Sequence, residues 1–128
     1  MPGRPRRVLI VEDNHDLRRF FARYVARFGG ESVAVASGPE ALRSFQAGAF
    51  DALITDVELG DGMDGIEVAR RLLALQPTLN VVMMSGDPVH AARAKETRLG
   101  AFFDKPFDSL DFLALNSALG LKGWDGAA

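Results

Sequence analysis

Residues 50–65 read Phe50-Asp51-Ala52-Leu53-Ile54-Thr55-Asp56-Val57-Glu58-Leu59-Gly60-Asp61-Gly62-Met63-Asp64-Gly65. A short apolar run, Ala52 to Thr55, stops at Asp56 and passes into a loop of glycines and acids before helical periodicity resumes at Ile66. A run that is apolar on both faces and leads into a helix marks a strand inside a parallel sheet covered by helices on each side. In such sheets ligand chemistry gathers at the carboxyl ends of the strands, which is where this pattern delivers Asp56.

The same pattern recurs on either side. Val8-Leu9-Ile10-Val11 is a strand that stops at Glu12-Asp13-Asn14, and Ser32–Val35, Val81–Met84 and Ala101–Phe103 supply three more. Between them Leu17, Phe20, Phe21, Tyr24, Val25 and Phe28 return at helical spacing until Gly29-Gly30 stops the helix. Ser37-Gly38-Pro39-Glu40 reads as a capping box opening a helix over 37–47. A third helix carries Ile66, Val68, Ala69, Leu72, Leu73 and Leu75 and ends before Pro77. Asp87 as cap and Pro88 at the first helical position start a fourth. Only Val89, Ala92 and Leu99 suggest a buried stripe on it, so it should be among the least firmly held elements. A last helix, Ser109 to Leu119, carries Leu110, Leu113, Leu115 and Leu119. Alternating strands and helices of this kind predict a doubly wound α/β layer structure.

A chain of 128 residues, 48% apolar and 25% charged, suits one domain over 1–128, with a core at about 7–119 and short flexible tails. Its net charge of −2 gives no electrostatic reason to expect nucleic acid binding. The absence of cysteine excludes disulfides and thiolate metal sites. No stretch approaches the ~20 apolar residues of a membrane span. Met1 to Arg7 is arginine- and proline-bearing without a signal-like apolar core, and reads as a solvated arm. The expected location is the cytoplasm.

The strand ends collect Glu12, Asp13, Asp56, Ser85 and Lys105. Carboxylates brought together repel one another, and a divalent cation relieves the repulsion. Oxygen donors with no histidine or cysteine favour Mg²⁺, which takes one or two carboxylates and keeps several waters. An ammonium and a hydroxyl at the same rim are complementary to phosphoryl oxygens.

These residues carry a resemblance. Val8-Leu9-Ile10-Val11-Glu12-Asp13-Asn14, the Asp56 strand with Met63-Asp64-Gly65, Ser85 after its apolar strand, and Phe102 with Lys105-Pro106-Phe107 resemble the receiver domain of bacterial two-component response regulators, from Arg7 to about Leu119. The resemblance implies a flavodoxin-like sheet of order 2-1-3-4-5 in three layers and a cis Lys105-Pro106 bond. It implies that Asp56 is the phosphoacceptor, taking a phosphoryl group from a phosphohistidine on a sensor histidine kinase or histidine phosphotransfer protein. Asp13, Glu12, Asp56 and the backbone of Glu58 are the implied Mg²⁺ site. Lys105 would pair with Asp56 and then with the phosphoryl group, while Ser85 and Phe102 would form the switch that alters a surface for a downstream protein target. Such a chain catalyses only its own phosphorylation and dephosphorylation, and works as a monomer or a phosphorylation-dependent dimer without nucleic acid or membrane. With nothing after Leu119 that could form a DNA-binding unit, the single-domain type is expected.

Departures from the family pattern are the longer loop Leu59-Gly60-Asp61-Gly62, Gly86 in the place of an alanine, and a shorter segment from Gly100 to Lys105. Two other functions share the topology. An Asp-nucleophile phosphatase resembling the haloacid dehalogenases would want a second aspartate where Glu58 stands, and an FMN carrier would want a hydroxyl-rich loop where Glu12-Asp13 would repel phosphate. A receiver that serves as a non-phosphorylated docking module stays open. Asp51, Asp61 and Asp64 read as turn and cap residues, His15 and His90 as surface residues, and Phe20, Phe21 and Phe28 as core. Trp124 receives no role.

Overall fold

A computed structural model describes residues 4–60 and 62–121. The elements run β1 (Arg7–Val11), α1 (His15–Arg27), β2 (Glu31–Val35), α2 (Gly38–Ser44), β3 (Ala52–Asp56), α3 (Gly65–Leu75), β4 (Asn80–Ser85), α4 (Pro88–Thr97), β5 (Ala101–Asp104) and α5 (Ser109–Leu119). All strands pair in parallel, in the order β2-β1-β3-β4-β5 expected from the resemblance. Trp124 lies outside the described residues.

Strand alternation sorts the core into two faces. Leu9, Val11, Leu53, Val81 and Met83 pack with Ala41 and Phe45 around α2, with Val68 and Leu72 of α3, and with Ala94 of α4. Val8, Ile10, Ile54, Val82 and Met84 pack with Phe21 and Val25 of α1 and Leu115 and Leu119 of α5. Because β1, β3 and β4 lie inside the sheet, their side chains are covered on both faces, which is why they read as continuous apolar runs.

Helix starts follow local chemistry. The side chains of Asn14, Asp64 and Asp87 accept backbone N–H bonds at the openings of α1, α3 and α4, and Asp108 and Asp111 form a reciprocal capping box on α5. Before α2, Ser37 accepts the Glu40 N–H at 3.3 Å, but the Glu40 carboxylate reaches the Ala36 N–H rather than that of Ser37. That helix ends at Ser44, short of the expected residue 47.

Four other expectations are corrected. Phe20 is 43% exposed. It lies at the edge of the α1 stripe and packs at a tilt against Tyr24 and Phe112, while Phe21 is buried and Phe28 half-buried. On α4, Val89 and Ala92 face solvent and Ala91 and Ala94 turn inward toward the sheet. Two buried methyl groups give that helix a thin grip, in keeping with the expectation of loose packing. On α5, Leu110 and Leu113 are exposed, and Leu115 and Leu119 form the seam. The basic arm is not free along its described part: Arg4 donates to both Asp51 oxygens at 2.9 and 3.0 Å, and the Arg7 N–H donates to Asp51 Oδ2 at 2.9 Å. Burial works against ionised Asp51, and these donors with Arg6 outweigh it, holding its carboxyl below the usual range.

Candidate functional site

Four of the five strands end in chemistry. Beyond β1, the Glu12 N–H donates to the Val35 carbonyl at 3.1 Å, which fixes the backbone as it leaves the sheet. Glu12 is 1% exposed, Asp56 5% and Ser85 1%, whereas Asp13 is exposed. Past β5, the Lys105 N–H donates to the Ser85 carbonyl at 2.9 Å and the Lys105-Pro106 bond is cis, as expected. The N–H bond to Ser85 fixes the backbone from which the lysine reaches across the rim. Its Nζ donates to Asp56 Oδ2 at 2.6 Å and lies 3.5 Å from Glu12 Oε2.

Asp56 is held from both sides, since its Oδ1 accepts the Glu58 N–H at 3.1 Å. Glu12 Oε1 accepts the Asn14 N–H at 3.1 Å, but its buried Oε2 has no hydrogen-bond partner among the described residues. The 3.5 Å approach of Lys105 is electrostatic contact, too long for a good hydrogen bond. Burial and the closeness and negative charge of Asp56 push the Glu12 carboxyl up to about 7, against the pull of Lys105 and the Asn14 N–H. Burial works to lower the Lys105 ammonium, but the hydrogen bond and charge of Asp56 and the charge of Glu12 outweigh it and raise it.

Glu12, Asp13 and Asp56 each bring one oxygen into a group within 4.8 Å of one another. An all-oxygen donor set carrying more negative charge than Lys105 balances, with an orphaned carboxylate oxygen buried inside it, fits a hard divalent cation such as Mg²⁺. Glu58 is in the next loop; its side chain is not part of that group but reaches Ser85, whose hydroxyl donates to Glu58 Oε1.

Phe102 and Phe103 part ways. Phe102 pairs in register with Met83, packs half-buried against the α2–α4 face and carries Lys95 5.3 Å from its ring centre. Phe103 is buried on the opposite face, against Phe107. By alternation Ser85 shares the face of Met83, hence that of Phe102.

Asp64 and the two histidines do what turn and surface residues do, and Asp61 lies outside the described residues. Asp64 caps α3 and accepts from Arg93 at 3.0 Å, and His15 and His90 stand beside arginines one turn along their helices. Sequence reasoning missed Arg18, which donates to the Glu12 carbonyl at 2.8 Å and braces the acidic turn; an arginine three residues into a helix carries no such signal. It also missed why residue 65 is glycine. A Cβ there would sit 2.0 Å from the Asp56 carbonyl oxygen, so α3 can start this close to the acid only without one.

A five-stranded parallel sheet of order β2-β1-β3-β4-β5 with acids and a lysine gathered at its carboxyl rim belongs to the receiver-like class of α/β folds. The chain belongs to the response regulator receiver domain family, whose model matches residues 8–115. It is 33% identical over 81 residues to the response regulator receiver protein CpdR of Brucella abortus, covering 63% of this chain and 67% of that protein. It is 30% identical over 120 residues to the sensory transduction protein RegX3 of Mycolicibacterium smegmatis, covering 92% of this chain and 52% of that protein. The chain thus spans about half the length of this second relative. Among solved structures, the non-phosphorylated HemR receiver domain of Leptospira biflexa superposes with a TM-score of 0.78 at 25% identity, covering 91% of this chain and 96% of that one. The family works in two-component signalling with histidine kinases and downstream targets. Among the described residues, no helix is long and apolar enough to cross a membrane.

Proposed function

We propose that this receiver takes a phosphoryl group from a phosphohistidine onto Asp56 and thereby alters a protein-binding surface. The observation that carries the reading is the Lys105 ammonium 2.6 Å from Asp56 Oδ2, with Glu12 and Asp13 alongside. An Asp56 oxygen attacks phosphorus; the P–O bond forms, the P–N bond breaks, and its electron pair leaves with the imidazole nitrogen, which takes up a proton. Lys105 neutralises charge on the transferring oxygens, and the Glu58 N–H keeps the attacking carboxylate oriented. Glu12, Asp13, Asp56 and the backbone carbonyl of Glu58 would hold Mg²⁺, which when bound supplies further positive charge beside the phosphoryl oxygens. The chain acts on no separate substrate.

Phosphorylation replaces a carboxylate by a group with more acceptor oxygens and about one further negative charge, which draws Ser85 and Lys105 toward it. Phe102, on the same face as Ser85 and only half-buried, is the aromatic that turns into the space released. Converting a mostly resting population to a mostly switched one takes roughly 5 kcal/mol of preference, within reach of a few charge-assisted hydrogen bonds at ~1.5–3 kcal/mol each. The weakly gripped α4 suits the moving part. The partners on this reading are a sensor histidine kinase or histidine phosphotransfer protein and a downstream protein, met as a monomer or a phosphorylation-dependent dimer. The cysteine-free sequence and the donor suit the cytoplasm.

The test is incubation with acetyl phosphate, with and without Mg²⁺, followed by intact mass. Uptake of a single phosphoryl group that needs the metal is the expected result. No uptake under any condition would leave a docking module in its place, and steady release of phosphate from unrelated esters would favour a hydrolase.

A further inference from the structure

The Ser85 hydroxyl is committed in two directions. Its oxygen accepts the Asp87 N–H at 3.0 Å, and its proton goes to Glu58 Oε1. The Asp87 carbonyl, 3.3 Å away, is the poorer acceptor, because a carboxylate outcompetes a neutral carbonyl for one proton. Glu58 itself is exposed and belongs to neither apolar cluster. Exposed glutamates ordinarily keep their charge in water, yet this one turns its carboxylate inward to a hydroxyl that is 1% exposed. The same residue grips Asp56 through its backbone N–H at 3.1 Å. Main chain on the acceptor and side chain on the hydroxyl tie the two halves of the switch to one residue.

From this geometry we infer that Glu58 is a latch, a positioning residue whose carboxylate holds the Ser85 hydroxyl in the resting state so that a phosphoryl group on Asp56 must take it away. The inference rests on the phosphoacceptor reading above. A serine hydroxyl has one proton to donate, so Glu58 and the phosphoryl oxygens compete for it directly. When the phosphoryl group wins, the Glu58 carboxylate is left facing added negative charge and swings out to solvent, to which the residue is already exposed. The latch therefore weakens the binding of any phosphoryl-like group and keeps the unphosphorylated protein from switching.

The experiment titrates beryllium fluoride with Mg²⁺, a non-covalent stand-in for the phosphoryl group, into the wild type, Glu58→Ala, Ser85→Ala and the double variant, following the amide resonances of Gly86 and Phe102. Glu58→Ala should bind about fivefold more tightly than the wild type, the equivalent of one ordinary net hydrogen bond. That gain should vanish in the Ser85→Ala background, the signature of a direct interaction in a double-mutant cycle. An equal gain in both backgrounds would mean that Glu58 only repels the anion, and would overturn the latch. Should Ser85→Ala bind too weakly to titrate, the Ser85 side-chain rotamer in ligand-free Glu58→Ala decides: a shift in its three-bond couplings supports the latch, and an unchanged rotamer overturns it. A wild type that takes up neither beryllium fluoride nor phosphoryl groups overturns the phosphoacceptor reading itself, a distinct outcome from variants that bind like the wild type.

Discussion

Replacing Glu12 by glutamine should change how stability depends on pH. The folded chain holds a proton on Glu12 up to about pH 7, whereas an ordinary glutamate releases it near 4.5. Between those values the native state binds the extra proton, so stability falls as pH rises, by ~1.4 kcal/mol per pH unit or about 3 kcal/mol across the window. Asp51 and Asp64, whose carboxyls are lowered from 3.8, add their stability above that value and lose it only in stronger acid. Lys105, raised from 10.5, gives stability that is lost only in stronger base. Neither effect enters the window. Glutamine keeps an oxygen for the Asn14 N–H but has no proton to lose, so Glu12→Gln should show no decline there. Urea unfolding with a chelator at about pH 5 and about pH 8 measures it: the wild type should lose about 3 kcal/mol relative to the variant. Mg²⁺ binds the deprotonated acid, so adding it should restore wild-type stability at the higher pH and do little for Glu12→Gln. Parallel pH profiles for the two proteins would refute the reasoning.

Gly65→Ala should cost about 3 kcal/mol or more by urea unfolding, because its Cβ would meet the Asp56 carbonyl oxygen at 2.0 Å and backbone must move. Gly86→Ala should be neutral or stabilising by up to ~1 kcal/mol in the same assay, since its Cβ meets only Lys105 Cβ at an ordinary 3.7 Å. Asp51→Ala should cost about 1–2 kcal/mol by releasing Arg4 and leaving the Arg7 N–H without its acceptor; amide exchange should speed first at the start of β1.

The sheet and its rim were legible because their causes are local. Apolar runs stopping at Asp56, Glu12 and Ser85 reflect strands covered on both faces, and caps such as Asp87 before Pro88 act within one turn. What stayed hidden depends on the angle at which helices meet the sheet. Phe20 and Phe21 look alike in the sequence, and only the seat of α1 decides which ring is buried. The inward turn of Ala91 and Ala94 instead of Val89 has the same origin. Arg18 and Glu58 are ordinary surface residues by type, and their reach to the Glu12 carbonyl and the Ser85 hydroxyl exists only once the loops are in place. The docking of Arg4 onto Asp51 joins positions 47 residues apart, beyond any local signal.

The central claim is that Asp56 becomes an acyl phosphate. Reducing the acetyl phosphate-treated protein with borohydride converts an aspartyl phosphate to homoserine, and peptide mass spectrometry then locates it. Homoserine should appear at residue 56 alone, and only when Mg²⁺ was present. Homoserine at another aspartate, or none in a protein that has gained phosphoryl mass, would contradict the account.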